Sequence, residues 1–149
     1  MPTLTDIRPQ LDALFAGQRF GVLATHQEGQ PFGSLVTFVA AADLTHLLFA
    51  TSGDSRKYRN LCADPRVALV IDNRENTPAD LAHAIAVTAC GIAVPATPEA
   101  LPALRARLLA RHPALGDFLA APDTQVIDVT VTQYDVVSDF SQVITVRLA

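Results

Sequence analysis

Residues 47–72, LLFATSGDSRKYRNLCADPRVALVID, decide how the rest of the chain is read. They predict a strand over residues 47–51, a short polar turn, a helix opening near Ser55, a stop at Asp64-Pro65 and a second strand over residues 67–71. Tyr58, Leu61 and Cys62 fall at i, i+3 and i+4 and so share one helical face, leaving Arg56, Lys57, Arg59 and Asn60 for the other. Pro65 and the residue before it mark the end of the helix.

The start of that helix carries a local contradiction. Arg56 and Lys57 sit in the first turn, where free backbone N–H groups and the macrodipole are already positive, so each cation costs roughly 0.3–1 kcal/mol there. A bound anion reverses the sign of that cost. Ser52 and Ser55 supply hydroxyls, Gly53 lets the backbone bend close, and the free N–H groups form the kind of phosphate site that helix N-termini provide. A solvated basic surface on an ordinary helix explains the same residues, and the motif alone leaves both readings open.

The chain has 149 residues, the length of one domain, and is large enough to bury about two-thirds of its unfolded surface. Half of it is hydrophobic, only 17% is charged and the mean hydropathy is +0.27, which suggests that a second copy covers part of the surface. A net charge of −4 argues against nucleic acid as the main partner. Cys62 and Cys90 lack CxxC spacing and read as small buried thiols of a reducing compartment. The N-terminus has no basic region followed by an apolar core, so a cytoplasmic protein is expected. The uncharged run over residues 81–98 contains Gly91, Pro95 and Pro98 and is rich in strand formers; it reads as a long, bent, doubly covered strand and not as a membrane span.

From the N-terminus, residues 3–16 form an amphipathic helix with Ile7, Leu11, Leu14 and Phe15 on one face, capped by Thr3 or Thr5 and stopped at Gly17. Strands follow over residues 20–25 and 31–40, separated by a turn at residues 26–30, and the second of them is apolar on both faces. Residues 72–80 are a polar loop, long enough to be mobile. A strand spans residues 82–94, and Leu101, Leu104 and Leu108 line a helix that opens near Thr97-Pro98 and ends near His112-Pro113. Residues 114–123 connect, with room for a short helical turn. Residues 125–137, QVIDVTVTQYDVV, alternate with period two, and a last strand covers residues 142–148. The pattern is mainly β with peripheral helices (α+β), and a small closed or split barrel removes the edges of so many short strands.

No catalytic constellation stands out. His26, His46, His83 and His112 share no metal-ligand spacing, and His83, beside the polar loop, is the one to follow. Ser34 lacks the glycine of a nucleophile elbow, and Asp128 and Asp135 lie on a strand whose alternation points them to solvent. Chemistry, if present, belongs to a bound cofactor.

The succession GVLAT (residues 21–25), GQPFGSLVTFV (29–39), the 47–72 stretch and AVTACG (86–91) resembles the flavin-binding split-barrel superfamily, the pyridoxamine 5′-phosphate oxidase-like proteins. The resemblance covers roughly residues 20–137, and T-x4-RK followed by NL-x2-DPRV is its most specific part. It implies a split β-barrel of the FMN-binding type with FMN as cofactor. The phosphate would be held by Ser55, Arg56 and Lys57. Ala50 and Thr51 would contact the cofactor, and Ser34, Leu35, Val36 and Thr37 would lie along the isoalloxazine, largely through backbone groups. It also implies a homodimer with two flavin sites at its interface, and an oxidoreductase meeting NAD(P)H or a small-molecule substrate. The alternatives are a flavin carrier with little turnover, or a relative that uses the deazaflavin F420 or handles haem. The family oxidases carry Arg at the position of Ser34, Lys near Val39, Gln near Ala86 and an Arg-x-His near the C-terminus, none of which this chain has. Oxidation of pyridoxamine 5′-phosphate is therefore not the expected activity. The RNL-x2-DPR wording is closer to the haem-utilisation branch.

Overall fold

The computed structural model describes residues 1–148. Its frame is one antiparallel sheet curled into a half-barrel, with five α-helices at its ends and on its back. The order along the chain is α1 (Leu4–Gly17), β1 (Phe20–Gln27), β2 (Gln30–Thr37), β3 (Val39–Ala40), β4 (His46–Ser52), α2 (Arg56–Ala63), β5 (Arg66–Asp72), α3 (Asp80–His83), β6 (Ala86–Pro95), α4 (Leu101–Arg111), a 3-10 turn (Pro113–Leu115), α5 (Gly116–Ala120), β7 (Thr124–Ser138) and β8 (Gln142–Arg147). Across the sheet the strands run β2, β1, β5, β6, β7, β4, β3, and β8 pairs with the second half of β7. This is the expected split barrel.

The stretch over residues 31–40 differs from the expectation in one decisive respect. It is one strand in sequence and two in the sheet, broken at Phe38. Gln30–Thr37 pair with β1, whereas Val39 and Ala40 pair with Leu48 and Leu47 of β4. Phe38 is buried, packs edge-on against Phe15 at 5.6 Å between ring centroids, and its carbonyl accepts a 2.7 Å hydrogen bond from His112 Nε2. The chain thus carries one edge of the sheet to the other and closes the barrel at this corner. β2 and β4 themselves touch without pairing.

Inside the curl, Ile7, Leu11, Leu14 and Phe15 of α1 pack with Leu23, Phe49, Leu69, Val87, Val129 and Tyr134 from the strands. Thr3 caps α1 in a capping box with Asp6. At the other end of α1, Arg111 Nη2 donates to the carbonyls of Phe15, Ala16 and Gln18, so a cation satisfies orphan acceptors of the last turn. A smaller core lies on the back of the sheet, where α4 and α5 cover Leu48 and Val126 with Leu108 and Leu119, joined by Leu101 and Leu104 as the sequence predicts.

Other boundaries move for identifiable reasons. The β1–β2 turn tightens to Glu28 and Gly29, both at positive φ, so the strands run longer than expected. β6 begins at Ala86 and not at residue 82, because Asp80–His83 form a helical turn. The preceding loop is tied down: the Asp80 carboxylate accepts from the backbone N–H groups of Glu75, Asn76 and Thr77, at 3.0, 2.8 and 3.3 Å. Cys62 is exposed and Cys90 half-buried, and both are free thiols. α2 turns Asn60 and Leu61 inward in place of Cys62. Asn60 tolerates burial because its Nδ2 donates to Thr25 Oγ1 at 3.0 Å. No described helix is long and apolar enough to cross a membrane.

Where β6 bends, the register with β7 slips between Cys90 and Gly91, leaving Thr132 as the extra residue of a bulge whose hydroxyl donates to the Cys90 carbonyl at 3.1 Å. A Cβ on Gly91 would stand 2.4 Å from the Thr130 carbonyl oxygen, so the backbones meet there only because the residue is glycine. Gly91→Ala is therefore expected to destabilise the fold by about 1–3 kcal/mol, read from the midpoint of urea unfolding. The three N–H donors, led by that of Glu75, hold the Asp80 carboxyl below its usual range. Because the folded value is the lower one, this contribution to stability is present above the ordinary carboxylate range and is lost as pH falls through the folded value. The Asn76 amide resonance is expected to titrate with a midpoint below that of an unperturbed aspartate.

Candidate functional site: the split between β2 and β4

Beyond the Phe38 corner the two edges of the barrel are not paired with each other. β4 pairs with β7 along its whole length, but with β3 only at Leu47 and Leu48, so its other edge from Phe49 to Ser52 has no strand partner. β2 pairs only with β1, and its outer edge is likewise free. Two rows of backbone donors and acceptors therefore border one gap.

α2 begins where the gap opens. Ser55 is its N-cap: its Oγ accepts from the Tyr58 N–H at 3.2 Å and shares a 2.7 Å hydrogen bond with the buried Thr51 Oγ1. The N–H groups of Arg56 and Lys57 are the first two of the helix and have no acceptor within it. The buried Asn60–Thr25 bond fixes the helix against β1, and Leu61 and Tyr58 pack against the main core. The turn before the helix is pinned from the far side: Gly53 N–H donates to the Asp123 carbonyl at 2.9 Å, and a Cβ on Gly53 would lie 2.6 Å from Asp123 Oδ1. Ser52 Oγ lies 2.6 Å from Asp54 Oδ1 and 3.1 Å from Asp123 Oδ2. Ser52 is thus committed to carboxylates and is not the free hydroxyl donor that the sequence suggested.

Arg56 is exposed, and among the described residues it makes neither an ion pair nor a side-chain hydrogen bond. Its guanidinium carbon lies 4.4 Å from the centroid of the Phe32 ring. Phe32 is paired with Thr25 and Ser34 with the buried Leu23, so both point to the inside of the curl, one two-residue step apart on β2. Ser34 Oγ is buried and has no hydrogen-bond partner.

The nine residues singled out from the sequence separate accordingly. Thr51, Ser55 and Arg56 come together at the mouth of the split, with half-buried Lys57 beside them on α2. Ser34 lies on the inner face, as does Val36, which is packed into the core. Leu35 and Thr37 point outward, Leu35 with 67% of its surface exposed. Ala50 packs on the α4–α5 side, so only its backbone borders the gap. A period-two strand cannot turn four successive side chains to one ligand, and Leu35 and Thr37 could meet a ligand in the split only through main-chain atoms. Phe32 and the Asn60–Thr25 pair were not singled out. On a strand read as apolar on both faces the aromatic ring of the first carried no distinguishing signal; nothing in the sequence marked the second.

The outer face of the same strands is apolar. Register aligns Leu35, Val22, Val70 and Thr88 across four strands, with exposed Phe20 one step away. At one end of this face a groove of about 470 Å³ runs past Ala24, Pro31, Ala68 and Cys90 to His26. His26 Nε2 is 3.0 Å from Asp64, whose carboxyl is held far below its usual range, first by hydrogen bonds from the Arg66 guanidinium and then by the Arg66 N–H. His46 Nδ1 donates to Asp128 at 2.8 Å on another surface, so the histidines are dispersed. Among the described residues no three His, Cys, Asp or Glu side chains converge as a metal site.

Solved structures share this architecture. A haem-binding protein from Mycobacterium smegmatis superposes with a TM-score of 0.80 at 26% identity over 90% of this chain, which spans only 55% of that protein. An FAD-binding protein from Mesorhizobium loti gives 0.70 at 18% identity, over 87% of this chain and 90% of the other. The haem storage protein HutZ of Vibrio cholerae gives 0.73 at 20% identity, over 84% and 89%. No curated protein matches the sequence. Residues 7–138 match the family model described as pyridoxamine 5′-phosphate oxidase, which takes in every strand of the split and the helix at its mouth; the chain belongs to that family, with the split-barrel fold.

Proposed function

We propose that the protein binds FMN in the split between β2 and β4 and works as a flavin-dependent oxidoreductase on a small molecule. The observation that carries the reading is Arg56: a guanidinium with no carboxylate partner, at a helix start whose first two N–H groups are free, beside strand edges without strands. The residues fit the cofactor. Arg56 offers a bidentate fork and Lys57 a point charge to a phosphate carrying close to two negative charges, and the N–H groups of both residues lie behind it. The unpartnered Ser34 hydroxyl and the free edges at Phe49 to Ser52 and along β2 supply donors and acceptors for the polar rim of the ring system. When bound, flavin supplies hydride and electron transfer, and the protein's part is to hold it, orient it and exclude water. Deazaflavin remains the alternative within this same site.

Haem is the second reading, supported by the mycobacterial and Vibrio relatives. In this chain three of the four histidines are engaged: His26 with Asp64, His46 with Asp128, and the buried His112 with the Phe38 carbonyl. His83, exposed on α3, is the exception. That distribution favours flavin. The spectrum of the purified protein, followed by titration with FMN and with haemin, distinguishes the two, and reduction by NADH or NADPH separates an oxidoreductase from a carrier.

Arg56→Ala is expected to weaken FMN binding by about 2–4 kcal/mol, roughly thirtyfold to a thousandfold, and to leave the weaker binding of riboflavin nearly unchanged. Equal FMN affinity in the two proteins would place the phosphate elsewhere. The protein works as a homodimer, a reading supported by the apolar outer face around Val22, Leu35, Val70 and Phe20, which α1, α4 and α5 leave uncovered. Sedimentation is expected to give a dimer at micromolar concentration; a stable monomer with flavin bound would overturn this.

A further inference from the structure

We infer that Phe32 is the positioning residue for Arg56: its ring holds the guanidinium by the face and leaves the donor edge free for a phosphate. The inference rests on the flavin reading and deepens it, since it names what makes the site select a phosphorylated flavin over an unphosphorylated one.

Most of the other arginines here are held by acceptors. Arg66 grips Asp64, Arg74 pairs with Asp72, Arg107 donates to the Ala40 carbonyl and Arg111 to three carbonyls at the end of α1. Such partners fix a guanidinium by occupying the N–H groups that an incoming anion needs. Arg56 is held differently, at 4.4 Å over the ring of Phe32. A guanidinium held over an aromatic face is attracted by the ring's π-cloud and spends none of its five N–H donors on a fixed acceptor. Orientation is thereby obtained without using a donor. The carboxylates in and against the turn before the helix do not compete for it, because Asp54 and Asp123 both lie within hydrogen-bond distance of Ser52 Oγ.

Phe32 is itself well placed for this. It lies on the inner face of β2 opposite Thr25, and Thr25 accepts the buried hydrogen bond from Asn60 of α2. The helix carrying Arg56 and the strand carrying Phe32 are therefore both referenced to Thr25. The stack also reaches from α2, which follows β4, to β2 on the opposite side of the split. A mobile arginine would lose rotamer freedom on binding an anion; one already stacked loses less.

Titration of the native protein, Phe32→Leu, Phe32→Tyr, Arg56→Ala and the double variant Phe32→Leu/Arg56→Ala with FMN and with riboflavin tests this, with thermal unfolding of each apoprotein as the folding control. Leucine keeps apolar bulk and removes the ring face; tyrosine keeps the face. Phe32→Leu is expected to lose about threefold to tenfold in FMN affinity and little in riboflavin affinity, Phe32→Tyr to bind FMN like the native protein, and the double variant to bind no more weakly than Arg56→Ala. Native FMN affinity in Phe32→Leu, with Arg56→Ala still weakened, would overturn the inference and leave the phosphate reading standing. Equal losses for both ligands in Phe32→Leu would make Phe32 a wall of the ring pocket and also overturn it. An Arg56→Ala protein that binds FMN like the native one would remove the phosphate reading and this inference together.

Discussion

The structure depends on the break at Phe38. One stretch of chain pairs with β1 as far as Thr37 and with β4 from Val39, so a single segment supplies both edges of the sheet and joins them. Continuing β2 along β1 past Thr37 would leave β4 without its pairing at Leu47 and Leu48. The kink gives closure at one end and a gap at the other. It is held by a buried ring and by the His112 hydrogen bond to the Phe38 carbonyl, an acceptor that would otherwise be buried without a partner. His112 caps the C-terminal end of α4, so the back-side helix is tied to the corner it covers.

The gap is a liability that the fold has to manage. Free strand edges invite pairing with other chains, and no strand among the described residues fills this one. α2 stands across its mouth, held by the Thr51–Ser55 hydrogen bond to β4 and the Asn60–Thr25 bond to β1, one anchor on each side of the opening. The same placement puts a helix N-terminus, with two free N–H groups, at the only end of the split not closed by Phe38. Bridging the two edges and presenting two free N–H groups at the mouth are thus consequences of one helix in one position.

Much of this was legible in the sequence where local chemistry decides the outcome. The helix start near Ser55, the stop at Asp64-Pro65, the alternation of β7 and the apolar face of α4 each follow from a residue and its immediate neighbours, and each stands where the pattern placed it. What was not legible depends on partners distant in the chain. Residues 31–40 are apolar on both faces, so period two carried no information about where pairing changes hands. Cys62 looked like a core residue until Asn60 found Thr25, a partner 35 positions away. Ala50 lies on a strand covered on both faces, and only the position of α4 and α5 shows that its side chain faces away from the split. Ser52 looked like a phosphate donor because Asp123, 71 positions on, is invisible to a local reading.

The acidic neighbours of the basic turn complete the electrostatic argument. Arg56 and Lys57 start a helix whose dipole opposes them, while Asp54 and Asp123 stand in or against the turn just before it. Were the carboxylates paired with Arg56, its N–H donors would be spent on them and closed to an incoming anion. Instead each carboxylate lies within reach of the Ser52 hydroxyl, and the Asp123 segment also takes the Gly53 N–H, so the acids brace the loop from behind. The close approach of Asp123 requires the missing side chain at Gly53. The acidic residues shape the turn and the basic residues face outward from it. The first-turn cations are left without a carboxylate partner, and on the flavin reading proposed above a dianionic ligand relieves that charge.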